Sequence, residues 1–258
     1  MKNFCFTVDD NIRCLKEITE NNYKSIFEHP YLAMYKRLHE EFDLKVQLNL
    51  FYRMNGFDLS QMSDAYYSEW EKNSDWLKLS FHSEFETAYP YSSSGYDEVY
   101  DDCRRVNEQI KRFASPSALG KTTTIHCCVA TEEGLRAISD NKVLGLLGLF
   151  GSEETPRISY GIEGSPASRI RNGQSLKIGE IIYAAIDIVL NCFSIEQIEA
   201  QLEELLSHNH LRVMIHEQFF YSDYPSYQAN FEEKLRATFR FLVEHGYKSN
   251  FYENMIEE

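Results

Sequence analysis

Two adjacent carboxylates, Asp9 and Asp10, close the first apolar run of the chain, in the stretch FTVDDN. Such a pair at the end of an apolar run either caps a helix or opens an active site. Further along, His82, Ser83, Glu84 and Glu86 follow the apolar run 76–81, and His216, Glu217 and Gln218 follow 211–215. His126 lies within the β-branched run 122–130, and Asp187 within 181–190. Carboxylates with imidazoles form the ligand set of a divalent cation such as zinc, and imidazole also suits other transition metals. Each residue also has a plainer reading. Asp9 and Asp10 before Asn11 suit a helix cap, and a histidine after a strand can be an ordinary hydrogen-bonded surface group. His126 can be a satisfied core histidine, and Asp187 can pair with Arg169 or Arg171. Convergence weighs against these readings, since the same chemistry recurs at several strand ends. The other histidines, His29, His39, His208, His210 and His245, fall in helices or polar loops and are expected to face solvent.

Strand ends matter because parallel β/α architectures bind ligands at the carboxyl ends of their strands. Short apolar, alternating or β-branched runs predict strands over 3–8, 44–52, 76–81, 122–130, 143–150, 181–190 and 211–215. Apolar residues at three- and four-residue spacing predict helices over 30–42, 63–73, 96–113 and 227–245, the last stopped by Gly246. Thr131 caps another helix with Glu132 and Glu133 in its first turn, and Ser194 with Gln197 forms a capping box that opens a helix to 206. The glycine-, serine- and arginine-bearing stretch 151–177 reads as a hairpin or an inserted loop. No repeat or linker divides the chain, so a single domain over 1–258 is expected. Strand–helix alternation, about seven units of it, predicts a mostly parallel α/β sheet or barrel with helices outside.

Composition narrows the partners. The 258 residues carry 26 Lys and Arg against 40 Asp and Glu, a formal net charge of −14 that repels nucleic acid and anionic membrane surfaces. The N-terminal apolar run is too short for a secretory signal, and the longest apolar runs, 143–150 and 181–190, fall short of a membrane span. A cytoplasmic protein is therefore expected. The six cysteines show no zinc spacing and are expected to be reduced thiols, with Cys14, Cys103, Cys127 and Cys192 in apolar or helical runs.

Three segments resemble the polysaccharide deacetylase (NodB-homology) family. Thr7-Val8-Asp9-Asp10 resembles its opening T-F-D-D motif. His82-Ser83-Glu84-Phe85-Glu86 resembles its H-S/T-x-x-H motif with glutamate in the last place, and Met214-Ile215-His216 resembles its late L-x-H motif. The resemblance runs in order over about 3–250. It implies a distorted (β/α)7-type barrel and a divalent metal, zinc first, held by Asp10, His82 and Glu86. It also implies that Asp9 is the general base and His216 the general acid. The family's R-x-P-Y motif has no counterpart, so His126, on about the corresponding strand, is placed near the metal or the substrate. Asp187 is the candidate for orienting the base. Glu217 and Tyr221 belong to an aromatic stretch, 216–224, that reads either as a sugar-stacking wall or as the packed start of the last helix.

The implied activity is metal-dependent removal of an N-acyl group from a carbohydrate. Two other readings stay open. Altered motifs fit a non-catalytic carbohydrate- or partner-binding protein on the same scaffold, and the missing secretion signal fits a cytoplasmic hydrolase of a small soluble amide.

Overall fold

Strand and helix alternate through residues 2–256, the part of the chain that the computed structural model describes. The order begins with β1 (Lys2–Asn11), α1 (Arg13–Asn21), α2 (Pro30–Phe42) and β2 (Val46–Phe51). A hairpin of β3 (Arg53–Met54) and β4 (Phe57–Asp58) leads to α3 (Tyr67–Lys72), β5 (Leu77–Ser83), α4 (Tyr96–Phe113) and β6 (Thr122–Thr123). Then come α5 (Glu132–Asp140), β7 (Gly145–Gly148), α6 (Gly164–Arg171), β8 (Leu176–Ile178), β9 (Ile181–Ala185) and β10 (Ile188–Val189). The chain ends with α7 (Ile195–Glu204), β11 (His210–His216), α8 (Phe231–Glu244), β12 (Tyr247–Ser249) and α9 (Tyr252–Met255).

The strands form a distorted parallel β/α barrel from two sheets. One runs β10-β11-β1-β2-β5, with β12 on β1, and the other runs β6-β7-β9-β8. Apart from the hairpin and β8, whose pairing to β9 is antiparallel, the ladders are parallel. β9 and β10 are one strand bent at Ile186–Asp187, where it passes from one sheet to the other. At the other seam the Gly120 N–H donates to the Leu79 carbonyl, and the Thr123 hydroxyl donates to that of Phe81.

Alternation in β1 assigns its two faces. Phe4, Phe6 and Val8 pack outward in the large core with the helices, Phe4 and Phe6 against Phe239 of α8. Cys5 belongs instead to a separate inner cluster with Leu147, Ala184, Met214 and Tyr252, which fills the barrel. The same strand is therefore buried on both faces, which is why it reads as a continuous apolar run. At the other end of the barrel α9 acts as a plug. Tyr252 and Met255 join the inner cluster, and the Glu253 carboxylate takes the Lys78 ammonium and the Lys121 N–H. The acids that end β1 are thus left at the open, carboxyl end.

Several expected elements differ in extent. The run 122–130 is a strand only at Thr122–Thr123; Cys127 (φ 60°) and Cys128 (φ 54°) are left-handed and turn the chain. The stretch 151–177 holds α6 and the start of β8. The last long helix starts at Phe231 rather than 227. His29 does not face solvent: it is buried, accepts the Tyr31 N–H and contacts Glu17 at 2.8 Å, capping α2. Cys127 and Cys192 are exposed, unlike the other four thiols.

Asp187 pairs with neither Arg169 nor Arg171. Its carboxylate meets Arg212 of β11, with Nε at 3.0 Å and Nη2 at 3.2 Å, and the two side chains are 3% and 1% exposed. Arg212 lies four residues before His216, roughly 13 Å down the strand at 3.3 Å per residue. The pair therefore stitches the bend of β9–β10 to β11 below the site. Removing one partner of a buried pair leaves the other charge uncompensated. Asp187→Leu alone is expected to lower unfolding free energy by about 3–5 kcal/mol, and Asp187→Leu with Arg212→Met by far less. Urea denaturation checks both, and equal losses in the two variants would contradict a paired role.

Candidate metal centre and cleft

Consecutive residues in a regular strand point to opposite faces, so Asp9 and Asp10 could not share a site without a break in β1. The break is present. Val8 stands opposite Leu48 of β2, but the next pair is Asn11 with Leu50, so β1 carries one extra residue there. Asp10 takes φ 63°, a left-handed conformation that aspartate tolerates better than most residues. A second irregularity falls at His82, since Phe81 pairs with Leu50 but Ser83 pairs with Phe51. Bulges re-aim side chains, and here both lie at the open end of the barrel.

The result is a cluster of Asp10, His82 and His126, the group of metal-ligating residue types that converges among the described residues. His82 Nε2 is 3.1 Å from Asp10 Oδ1 and 3.1 Å from His126 Nδ1, and His126 Nδ1 is 3.3 Å from the same Asp10 oxygen. Neighbouring ligands at about 2.0–2.2 Å around one ion stand roughly 2.9–3.6 Å apart, so this triangle fits a single divalent cation. The outer contacts also fit. His82 Nδ1–H donates to the Thr124 carbonyl at 2.5 Å, which directs Nε2 into the triangle. Gln218 Nε2 donates to Asp10 Oδ2 at 2.7 Å, which directs Oδ1 there. Burial would push the Asp10 carboxyl up, but the hydrogen bonds from His126 and His82 outweigh it and hold the group well below the ordinary carboxylate range. Phe51, buried, packs its ring on both imidazoles with centroids 5.2 and 5.1 Å away.

Glu86 is not in this cluster. After Ser83 the chain follows the β3–β4 hairpin, the Tyr52 and Arg53 N–H groups donating to the Ser83 and Glu84 carbonyls. That path carries Glu86 to an exposed position on a cleft wall. The third corner is occupied by His126 from the turn after β6.

Asp9 and His216 stand opposite each other on β1 and β11. Asp9 is 2% exposed, and burial pushes its carboxyl up despite the nearby imidazoles and the 2.6 Å hydrogen bond from Asn49 Nδ2. His216 Nδ1 is bonded to Asn191 Oδ1 at 2.8 Å. Glu217 is fully occupied elsewhere. Its carboxylate accepts the N–H groups of Ile12, Arg13 and Cys14 at 2.8–3.0 Å and so caps α1, whose own cap residue, Ile12, has no capping side chain. This ties the β11 end to the β1 end. Tyr221 gives its hydroxyl to Glu217 at 3.0 Å and lays its ring under Arg13. Nothing in the sequence singles out Asn191, and only the interior alternation of β2 points to Asn49; Gln218 is legible only as a polar residue after the run 211–215.

Asp10 opens on a cleft of about 670 Å³, walled by the hairpin and Phe85 on one side and by the segment from Gln218 to Pro225 on the other. Because outer-shell partners of metal ligands matter to affinity by about 10–100-fold, Gln218→Leu is expected to weaken divalent-metal binding by that factor without unfolding the chain. Titration calorimetry reads this, and unchanged affinity would remove Gln218 from the support of Asp10.

No protein-family model matches the sequence, and no curated protein matches it. Solved structures do match, at sequence identities that speak to the fold. A family 4 acetyl xylan esterase from Clostridium thermocellum, solved with a cobalt ion, superposes with a TM-score of 0.57 at 11% identity over 99% of this chain and 91% of its own. A peptidoglycan N-acetylglucosamine deacetylase gives 0.55 at 10% identity over 98% and 87%. A 4-alpha-glucanotransferase from Thermococcus litoralis gives 0.62 at 13% identity, this chain covering 40% of it. Pseudoenzymes of the CE4 family also match at 0.51–0.52, and this chain spans 63–65% of their length.

Proposed function

We propose, from the premise that this chain has the family 4 deacetylase fold, that it is a metal-dependent hydrolase removing acyl groups, N-acyl groups first, from a carbohydrate. The observation that carries the reading is the triangle of Asp10, His82 and His126, with Asp9 and His216 beside it on adjacent strands at the open end of the barrel. The ion we propose is zinc. Such an ion would polarise an acyl oxygen and lower the pKa of water. The chain's own groups supply the rest. Asp9, with Oδ1 engaged by Asn49, takes the proton from water. His216 Nε2 gives a proton to the leaving nitrogen or oxygen. Phe51 keeps bulk water from the ligand imidazoles. The aromatic and polar walls of the cleft, Phe85 and Tyr224 among them, suit the apolar faces and hydroxyl edges of a sugar ring.

The test is acetate release by the zinc-loaded protein from N-acetylglucosamine oligomers and from acetylated xylo-oligosaccharides. Release from the amide oligomers is the expected result, and release from the ester alone would move the reading to an esterase. Binding of these oligomers with no release by the metal-loaded protein would make the chain a carbohydrate-binding protein on this scaffold.

A further inference from the structure

The proposed acid and base each meet a carboxamide. Asn49 Nδ2 donates to Asp9 Oδ1 at 2.6 Å, and Asn191 Oδ1 faces His216 Nδ1 at 2.8 Å. The Asn49 amide is fixed by its own neighbours, and the turn that carries Asn191 is fixed through its main chain. Asn49 is fully buried, and its Oδ1 accepts from Gln47 Nε2 at 2.9 Å. Gln47 Nε2 is in turn anchored to the Thr122 carbonyl at 2.9 Å, with Gly120 packed so closely that a Cβ there would stand 2.9 Å from Gln47 Oε1. The Asn49 amide thus rests on a ladder crossing the barrel interior from β2 to β6. Asn191 sits in the single turn after β10, and its main-chain carbonyl, which accepts from Gln228 Nε2 at 2.8 Å, holds that turn in place. Gln228 Oε1 accepts from the Lys234 ammonium at 2.5 Å. The charged pair that could have oriented the base, Asp187 with Arg212, is engaged lower in the barrel.

We infer that Asn49 and Asn191 are the positioning residues of this acid–base pair, so that two neutral amides fix the base and the acid. The inference rests on the hydrolase reading for the roles of Asp9 and His216, but not for the hydrogen bonds. An amide acceptor requires His216 to carry its proton on Nδ1 in the neutral form, leaving Nε2 to exchange the catalytic proton. An amide donor on Asp9 Oδ1 fixes the carboxylate plane and leaves Oδ2 as the basic atom.

Two readouts test this. Long-range proton–nitrogen spectra of the whole chain at about pH 8, where imidazole is neutral, read the His216 tautomer without any turnover. The wild type should show the Nδ1–H form. Asn191→Leu, of similar size but without an acceptor, should shift His216 toward Nε2–H, and Asn191→Asp, which keeps an acceptor oxygen, should restore Nδ1–H. In the zinc-loaded protein, Asn191→Leu and Asn49→Leu should lower kcat about 10–100-fold with KM little changed, as loss of orientation does. Asn191→Asp should recover most of that kcat. Asn49 is buried, so the partly exposed Asn191 series decides if Asn49→Leu fails to fold. An Nε2–H tautomer in the wild type, or a kcat indifferent to Asn191→Leu, overturns the inference. A metal-loaded wild type with no turnover of acyl substrates overturns the hydrolase reading instead, and the tautomer then still decides whether Asn191 orients His216.

Discussion

Replacing His82 by alanine should abolish divalent-metal binding at the site and acyl transfer with it. His82 is 2% exposed and supplies the Nε2 corner of the triangle, while its Nδ1 is spent on the Thr124 carbonyl. Phe51 packs on both imidazoles and holds the two rings in place. Loss of an outer-shell contact costs about 10–100-fold in affinity, so loss of a ligand should cost more than about 100-fold. The same loss is expected for Asp10→Ala and His126→Ala, but not for Glu86→Ala, whose exposed side chain lies on the cleft wall. Metal content after dialysis reads all four. The set distinguishes His126 from Glu86 as the third ligand, since a cation lost on Glu86→Ala and kept on His126→Ala would reverse the assignment.

The second large effect is on chemistry without loss of metal. Asp9→Asn keeps the shape of the side chain and a carbonyl oxygen for Asn49 to donate to, but it removes the proposed base. General-base catalysis contributes about 10²–10⁴-fold, so kcat should fall by that range while zinc affinity stays within a few-fold of wild type. Because Asp9 is buried and burial raises its carboxyl, the uncharged amide should cost the fold little. Steady-state kinetics on N-acetylglucosamine oligomers, with metal content measured on the same sample, checks both halves. A fall in metal content equal to that of His82→Ala would make Asp9 a ligand rather than a base.

Much of the scaffold could be read from residue types. The helix at Pro30–Phe42 and the helix at Tyr96–Phe113 follow their apolar spacing, and the Ser194–Gln197 capping box forms as its residues dictate. His82 and His216 fall at strand ends because β5 and β11 are short apolar runs with polar residues behind them. What could not be read is where side chains turn. The adjacency of Asp9 and Asp10 implies opposite faces in any regular strand, and only the bulge against β2 and the left-handed Asp10 bring the two acids to one end. The β-branched run 122–130 argues for a strand through His126. It breaks because Cys127 and Cys128 adopt a left-handed turn that neither residue favours on its own, held by the Tyr160 N–H on the Cys128 carbonyl and the Tyr160 hydroxyl near the Ile125 N–H. Glu86 stands where the family motif places a ligand, but pairing of the chain to the hairpin leads it away. Tertiary pairing, not local preference, decides each of these positions.

Asp10, His82 and His126 are proposed to hold one divalent cation. Anomalous diffraction from zinc-soaked crystals, collected on either side of the zinc absorption edge, tests this most directly. A single strong peak is expected inside the barrel mouth, about 2.0–2.2 Å from Asp10 Oδ1, His82 Nε2 and His126 Nδ1. A peak that includes Glu86 and leaves out His126, or full zinc occupancy only at surface carboxylates, would contradict it.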